Sequence, residues 1–281
     1  MNKFVQLAFV SMLFSFSMPL FAFEIKLQQE LQQGALVYGR TDADALEVLG
    51  RKVDVDAQGR FVFGLGRDAK PELSIVLMGP DGQSETKTMN VRQRRYETES
   101  IEGVEQKYVS PPAEVLERIR SDTAQVKKAR ETDSSNRYDY LDAFIWPAEG
   151  RISGVYGSQR IFNGVPKRPH YGIDIAAPTG APVISPIAGK VILAHPDMYY
   201  SGGTLILDHG RGVSSTFIHL SRIHVKEGDE IEKGQQVGEV GASGRATGPH
   251  LDWRINWFQH RLDPQLVLPS REALKNEDFS H

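Results

Sequence analysis

Gly248-Pro249-His250-Leu251-Asp252-Trp253-Arg254-Ile255-Asn256-Trp257 alternates polar and apolar side chains without a break once past the proline. Successive side chains of a strand point to opposite faces, so the stretch predicts a single β-strand. His250, Asp252, Arg254 and Asn256 share one face, and Leu251, Trp253, Ile255 and Trp257 share the other. Two indoles give the apolar face enough area to anchor on a core. A histidine and a carboxylate held on rigid backbone give the other face the makings of a site. The other reading, a solvated strand face, stays open for Arg254 and Asn256 more than for His250 and Asp252.

Working outward, strands are expected at 204–208, 213–220 and 236–240, separated by glycine-rich turns every 8–12 residues, which is an all-β pattern. The fold class is therefore all-β, with a glycine-rich antiparallel sandwich or barrel over 141–281. Strands do not alternate with helices there, which excludes doubly wound and TIM-type architectures. Short β segments also fill 24–91, punctuated by Ala57-Gln58-Gly59 and Gly79-Pro80-Asp81-Gly82, and predict a small antiparallel sandwich over 23–97. That unit shows no cluster of catalytic residue types and reads as a spacer or binding module. Between the two, 98–140 is charged and polar. Pro111-Pro112 introduces helix formers with apolar positions at 115, 116, 119 and 126, so a helical linker is expected up to about Arg130.

The first 22 residues hold one charge, Lys3, before an apolar run that closes at Leu20-Phe21-Ala22. This is the layout of an export signal, with the cut expected after Ala22; the other reading is an uncleaved anchor. The remaining chain has no run of the roughly 20 apolar residues a membrane helix needs. Cysteine is absent, which removes disulfides, thiolate ligands, a cysteine nucleophile and a lipid-bearing cysteine. Any metal site must use His, Asp or Glu. A formal net charge of -3 gives no whole-chain case for nucleic-acid binding.

Two further stretches carry chemistry. In Pro169-His170-Tyr171-Gly172-Ile173-Asp174-Ile175, extended backbone sends His170 and Asp174 the same way past a glycine, where they can chelate one ion or form a structural pair. In Ser214-Ser215-Thr216-Phe217-Ile218-His219-Leu220-Ser221, His219 closes an apolar strand, a place where a lone histidine is commonly a core or rim residue. His209 reads as a turn residue, and Arg160, Asn163, Lys167 and Arg168 as a polar loop that is either solvated or lines a cleft.

The order His170-x-x-x-Asp174, His219-Leu220-Ser221, Gly248-Pro249-His250-x-Asp252 resembles the LytM or lysostaphin-type zinc metallopeptidases over residues 141–265. The resemblance implies a Zn2+ cofactor held by His170 and Asp174. It also implies that His219 and His250 flank the attacking water and the oxyanion formed at a peptide carbonyl. The family's last motif is His-x-His, and its second histidine is here Asp252. Aspartate can supply a lone pair to zinc at about 2.0–2.2 Å, so Asp252 is expected as the third ligand. Two carboxylates should also reduce the ion's Lewis acidity, with altered metal preference or slower hydrolysis as the consequence.

The implied protein is an exported metallo-endopeptidase of the periplasm or cell envelope that cuts peptidoglycan stem peptides. The alternative is a catalytically silent protein of the same fold that binds peptidoglycan or regulates another wall hydrolase; an envelope regulatory protein is a candidate partner. A biotinyl- or lipoyl-type carrier is suggested by the glycine turns of 225–235, but the turn at Gly241-Ala242-Ser243-Gly244 displays no lysine.

Overall fold

The protein, here a computed structural model, is described over residues 22–269; the expected leader, Ala22 apart, lies outside them. The first seven strands are β1 (Ile25–Leu27), β2 (Leu36–Thr41), β3 (Ala45–Val48), β4 (Arg51–Asp54), β5 (Arg60–Gly64), β6 (Glu72–Met78) and β7 (Ser84–Asn90). They form two antiparallel sheets, β1-β2-β5 and β4-β3-β6-β7. Strand β6 shows the cause: Leu73, Ile75 and Leu77 are buried while Glu72 and Ser74 are exposed. One face of the strand makes core and the other meets water.

Next come β8 (Thr98–Ile101), a one-turn helix α1 (Gln106–Val109) and α2 (Leu116–Arg130). Helix α2 rests Val126 and Ala129 on Leu193, Met198 and Ile206. The segment expected as linker thus packs on the following sheet.

The rest of the chain is β9 (Arg151–Gly154), β10 (Gln159–Phe162), β11 (Val165–Pro166), β12 (Ile173–Ala176), β13 (Pro182–Ile184), β14 (Gly189–Met198), β15 (Gly202–Asp208), β16 (Val213–Leu220), β17 (Arg222–Ile223), β18 (Glu230–Ile231), β19 (Gln236–Glu239), β20 (His250–Trp257) and β21 (His260–Leu262). The main sheet runs β18-β14-β15-β16-β20-β12-β9, with β21 on the side of β20, and a smaller sheet runs β13-β19-β17. The main sheet is open, ending at β18 and β9, so the chain is a mostly β protein without a closed barrel. Strand β8 adds in parallel to β10, outside both.

Strand β20 occupies the centre. Leu251, Trp253, Ile255 and Trp257 are all within 1% of full burial, and burying side chains of this size contributes about 1.5–3 kcal/mol each. Its other face departs from expectation, because Asn256 is fully buried and Arg254 largely so. Strands β15 and β16 are buried along their whole length on both faces, with α2 helping to cover the outer one. One apolar cluster joins the first sheets to this core, with Phe63 of β5 edge-on to Trp257 at 6.5 Å between ring centroids.

Candidate metal and acid-base centre

Ladder register builds the site. Strands β12 and β20 pair with Asp174 opposite Asp252 and Ala176 opposite His250, while β16 places Ile218 opposite Asp252. Two buried carboxylates directly across a ladder repel each other, so neighbouring positive charge has to hold them there. His170 lies just ahead of β12, and its Nε2 is 3.0 Å from Asp174 Oδ1 and 3.4 Å from Asp252 Oδ2. One ligand atom each from His170, Asp174 and Asp252 fall within 4.8 Å of one another, and all three residues are buried.

Two glycines make this approach possible. A Cβ on Gly172 would stand 2.5 Å from the Trp253 carbonyl oxygen and 2.7 Å from Asp252 Oδ1; one on Gly154 would stand 2.2 Å from Asp174 Oδ2. All three distances are inside any real contact.

Two arginines supply much of the charge. Arg254 donates from Nε to Asp252 Oδ1 at 2.9 Å and from Nη2 to Oδ2 at 2.6 Å. Arg160, on β10 and 8% exposed, donates from Nη2 to Asp174 Oδ2 at 2.9 Å. Both are strong charge-assisted hydrogen bonds, and the Arg254–Asp252 pair is a two-bond fork. Sequence reasoning left a solvated face open for Arg254, and for Arg160 a polar loop either solvated or lining a cleft; neither is solvated, and Arg160 lines the cleft. The expected excess of negative charge around an ion is offset by these two partners.

The three histidines are oriented alike. His170 Nδ1 lies 3.2 Å from the Val155 carbonyl, His219 Nδ1 2.7 Å from that of Ser243, and His250 Nδ1 2.8 Å from that of Gly248. A carbonyl can only accept, so each Nδ1 carries the proton in the neutral ring and each Nε2 is left with its lone pair. His219 and His250 stand 4.8 Å apart between ring centroids, and His250 Nε2 is 3.8 Å from Asp174 Oδ1. His219 also has φ of 66°, a left-handed backbone uncommon for a residue with a side chain. Its amide donates to the Ser201 carbonyl, which holds that turn.

The electrostatics divide the histidines. Burial pushes His219 down to about 4, helped by His250, so it is a neutral acceptor near pH 7. Burial acts the same way on His170, but the Asp174 and Asp252 carboxylates outweigh it and raise it to about 9. Burial alone would raise Asp252; Arg254 and then His170 hold it well below the usual carboxylate range. The cluster thus draws a positive charge to the point where three donor atoms converge. Asp174 Oδ1 is buried at that point, 3.0 Å from His170 Nε2. The N,O,O donor set of one imidazole and two carboxylates fits a divalent cation.

The centre lies at the floor of a cleft of about 390 Å³. Ser153, Arg151 and Arg245 contribute to its walls, and so do Glu99, Ile101 and Val104 from the segment expected to be linker. Asn163 and Lys167 fasten that segment, through Asn163 Nδ2 to the Val104 carbonyl at 2.7 Å and Lys167 Nζ to the Val109 carbonyl at 2.6 Å. His209 is fully buried, its ring nitrogens 2.7 Å from the Ala188 carbonyl and 2.8 Å from Ser215 Oγ, and takes no part in the centre.

Comparison with known proteins agrees with this layout. The description of Peptidase family M23 matches residues 168–264. The peptidoglycan DD-endopeptidase ShyB of Vibrio cholerae is 43% identical over 89 residues, covering 31% of this chain and 20% of its own. The peptidoglycan DD-endopeptidase ShyA of the same organism is 38% identical over 109 residues, covering 37% and 24%. The chain therefore spans about a quarter or less of the length of these curated relatives. The crystal structure of a peptidase M23 from Pseudomonas aeruginosa superposes with a TM-score of 0.66 at 27% identity, over 85% of this chain and 96% of that one. Residues 168–264, which hold the His170, Asp174, His219, His250 and Asp252 cluster, thus match peptidase family M23, and the resemblance to the LytM/lysostaphin type runs through that domain.

Proposed function

We propose that the protein is an exported zinc metallo-endopeptidase that hydrolyses peptide bonds in peptidoglycan, with His170, Asp174 and Asp252 holding the metal. The observation that carries this reading is the convergence of one imidazole nitrogen and two buried carboxylates, with two further Nε2 atoms oriented beside them. Zinc held there supplies a Lewis acid for the scissile carbonyl and for water. His219, neutral and fixed by Ser243, takes a proton from the attacking water at Nε2. His250, beside it at 4.8 Å between ring centroids, donates from Nε2 in its protonated form to the oxyanion or the leaving amine. Arg160 and Arg254 keep the two aspartates ionised and oriented, as partners of metal ligands do.

The choice of peptidoglycan rests on the relatives named DD-endopeptidase and on the export-type leader. We further place the working boundaries at 1–22 for the leader, 23–97 for the first β unit, 98–140 for the connecting segment and 141–281 for the peptidase unit. No helix among the described residues is long and apolar enough to cross a membrane.

A second reading, a silent wall-binding or regulatory protein, is favoured by one observation: the arginine pairs leave the two carboxylates balanced without an ion. Metal content and muropeptide cleavage on one preparation decide between them, with His170→Ala and His219→Ala alongside. The enzyme reading expects zinc near one per chain, zinc and cleavage both lost in His170→Ala, and cleavage alone lost in His219→Ala. Wall binding with neither zinc nor new muropeptides would reverse the order.

A further inference from the structure

Beneath helix α2, on the outer face of β15, β16 and β20, lies a second cavity of about 340 Å³. Its lining carries five cationic side chains, Lys127, Arg130, Arg168, Arg254 and Arg261, against one carboxylate, Asp122. Asp122 is engaged, accepting the Tyr199 amide at 2.7 Å.

Arg130, in the last turn of α2, is 3% exposed. Its Nη2 donates to Thr216 Oγ1 at 3.2 Å, and its Nε is buried with no hydrogen-bond partner. Arg261 donates from Nη1 to Asn256 Oδ1 at 3.3 Å, a neutral partner. Arg130 is buried and Arg254 and Arg261 are half-buried; of the three, Arg254 has a carboxylate, Asp252, on Nε and Nη2. A buried charge normally persists only when paired. Burial and the repulsion of Arg261 and Arg254 both act against the charge on Arg130, and burial and Arg254 act against that on Arg261. An arginine does not solve this by losing its proton; an anion solves it.

We propose that this cavity is an oxoanion site, in which Arg130, Arg254 and Arg261 together bind a phosphate-like ion or a carboxylate group. The forked guanidinium matches either ligand with two parallel N–H donors. Thr216, lining the cavity and accepting from Arg130 and Asn256, adds a hydroxyl that can donate. The cavity opens past exposed Lys127 and Arg168, which bring positive potential to its mouth. The ligand has two possible sources, a free inorganic oxoanion or the terminal carboxylate of a peptide. Arg254 is common to this cavity and to the Asp252 carboxylate, so an occupant would share a side chain with the centre described above.

The site is tested on chelator-treated full-length mature protein at constant ionic strength, so the outcome does not depend on metal or cleavage. Inorganic phosphate, against chloride, is titrated by calorimetry and thermal unfolding; N-acetyl-alanyl-alanine and its C-terminal amide are titrated in parallel. Phosphate is expected to bind saturably in the millimolar range or tighter and to raise the Tm. Arg130→Met and, as an independent second variant, Arg261→Met are expected to weaken phosphate at least tenfold, while Arg130→Met in chloride unfolds no earlier than the parent. Binding of the free-acid peptide but not its amide would assign the peptide source, and binding of phosphate alone the free-ion source. Absence of saturable binding by either probe, or unchanged phosphate affinity in both variants, overturns the proposal.

Discussion

Asp252 serves two masters, the point where donors converge and the Arg254 guanidinium, and the balance can be measured. Removing one member of a buried pair strands the other, at a cost of about 3–5 kcal/mol, whereas removing both is far cheaper. Asp252 is 3% exposed and Arg254 pairs with it through two bonds. Asp252→Ala is therefore expected to lose about 3 kcal/mol of stability, and Asp252→Ala with Arg254→Met to regain much of it. Chemical denaturation of both proteins and the parent checks this. A double variant no more stable than the single one would show that the stranded charge is not the cause. His209 allows a prediction of pH dependence. Burial lowers its folded value to about 4 from 6.5, so the unfolded chain binds the extra proton between those values. Its contribution, of the order of 3 kcal/mol, is complete above pH 6.5 and is lost as pH falls through 4. His170 has the opposite sign, because its raised value adds stability below pH 6.5 that is lost as pH rises through 9. Comparison with His209→Asn isolates the first effect: the parent should lose stability more steeply than the variant between pH 6.5 and 4. Parallel curves would exclude it.

At the scale of elements, strand β8 owes its position to three neighbours. It pairs with β10, its end is held by Asn163, which donates to the Val104 carbonyl and accepts the Val104 amide, and Lys167 closes the following turn. Asn163→Ala removes two hydrogen bonds worth about 1 kcal/mol each. Local opening of 98–109 should then become roughly tenfold more frequent or better, with little change in global stability. Amide exchange resolved by segment measures this; uniform acceleration across the whole chain would mean that the segment does not open on its own. Legibility followed periodicity here. Strands β16 and β20 have the bounds expected at 213–220, from an uninterrupted β segment, and at 250–257, from alternation. Thr98-Glu99-Ser100-Ile101 carries one apolar residue and pairs at long range, so β8 left no local signal. For the centre, the five residues brought together were readable from spacing and resemblance. Arg160 was not, since a buried arginine is recognised by its partner, and nothing in a sequence joins position 160 to Asp174. Arg254 was placed on the right face with a solvated reading left open, because alternation gives a face but not what covers it.

For the whole molecule a like limit applies: short β segments and turn residues marked an early sandwich and could not say that part of its core lies in another unit. Phe63 packs on Trp257, and the apolar cluster runs unbroken from Leu31 to Leu262. Arg94 donates from Nη1 to Asp263 Oδ2 at 2.8 Å, and Asp263 is 2% exposed. Helix α2 is tied to both ends as well, since Glu131, directly after it, accepts from Arg51 at 2.8 Å and from Gln259 at 2.9 Å. A chain beginning at Asp139 would lose the cover over Trp257 and Leu262 and leave Asp263 buried without Arg94. It would also lose α2 from Leu193, Met198 and Ile206. The expected outcome is a protein that unfolds at least about 10 °C below the full mature chain, or aggregates through the uncovered patch. Thermal unfolding with light scattering on both proteins measures it. A truncated chain with the Tm of the parent would mean that the early sheets only rest against the peptidase core, and any gain in cleavage could then be assigned to unmasking of the cleft by loss of Glu99, Ile101 and Val104. A destabilised chain that cleaves faster would point to the same unmasking, because loss of stability alone lowers the active fraction.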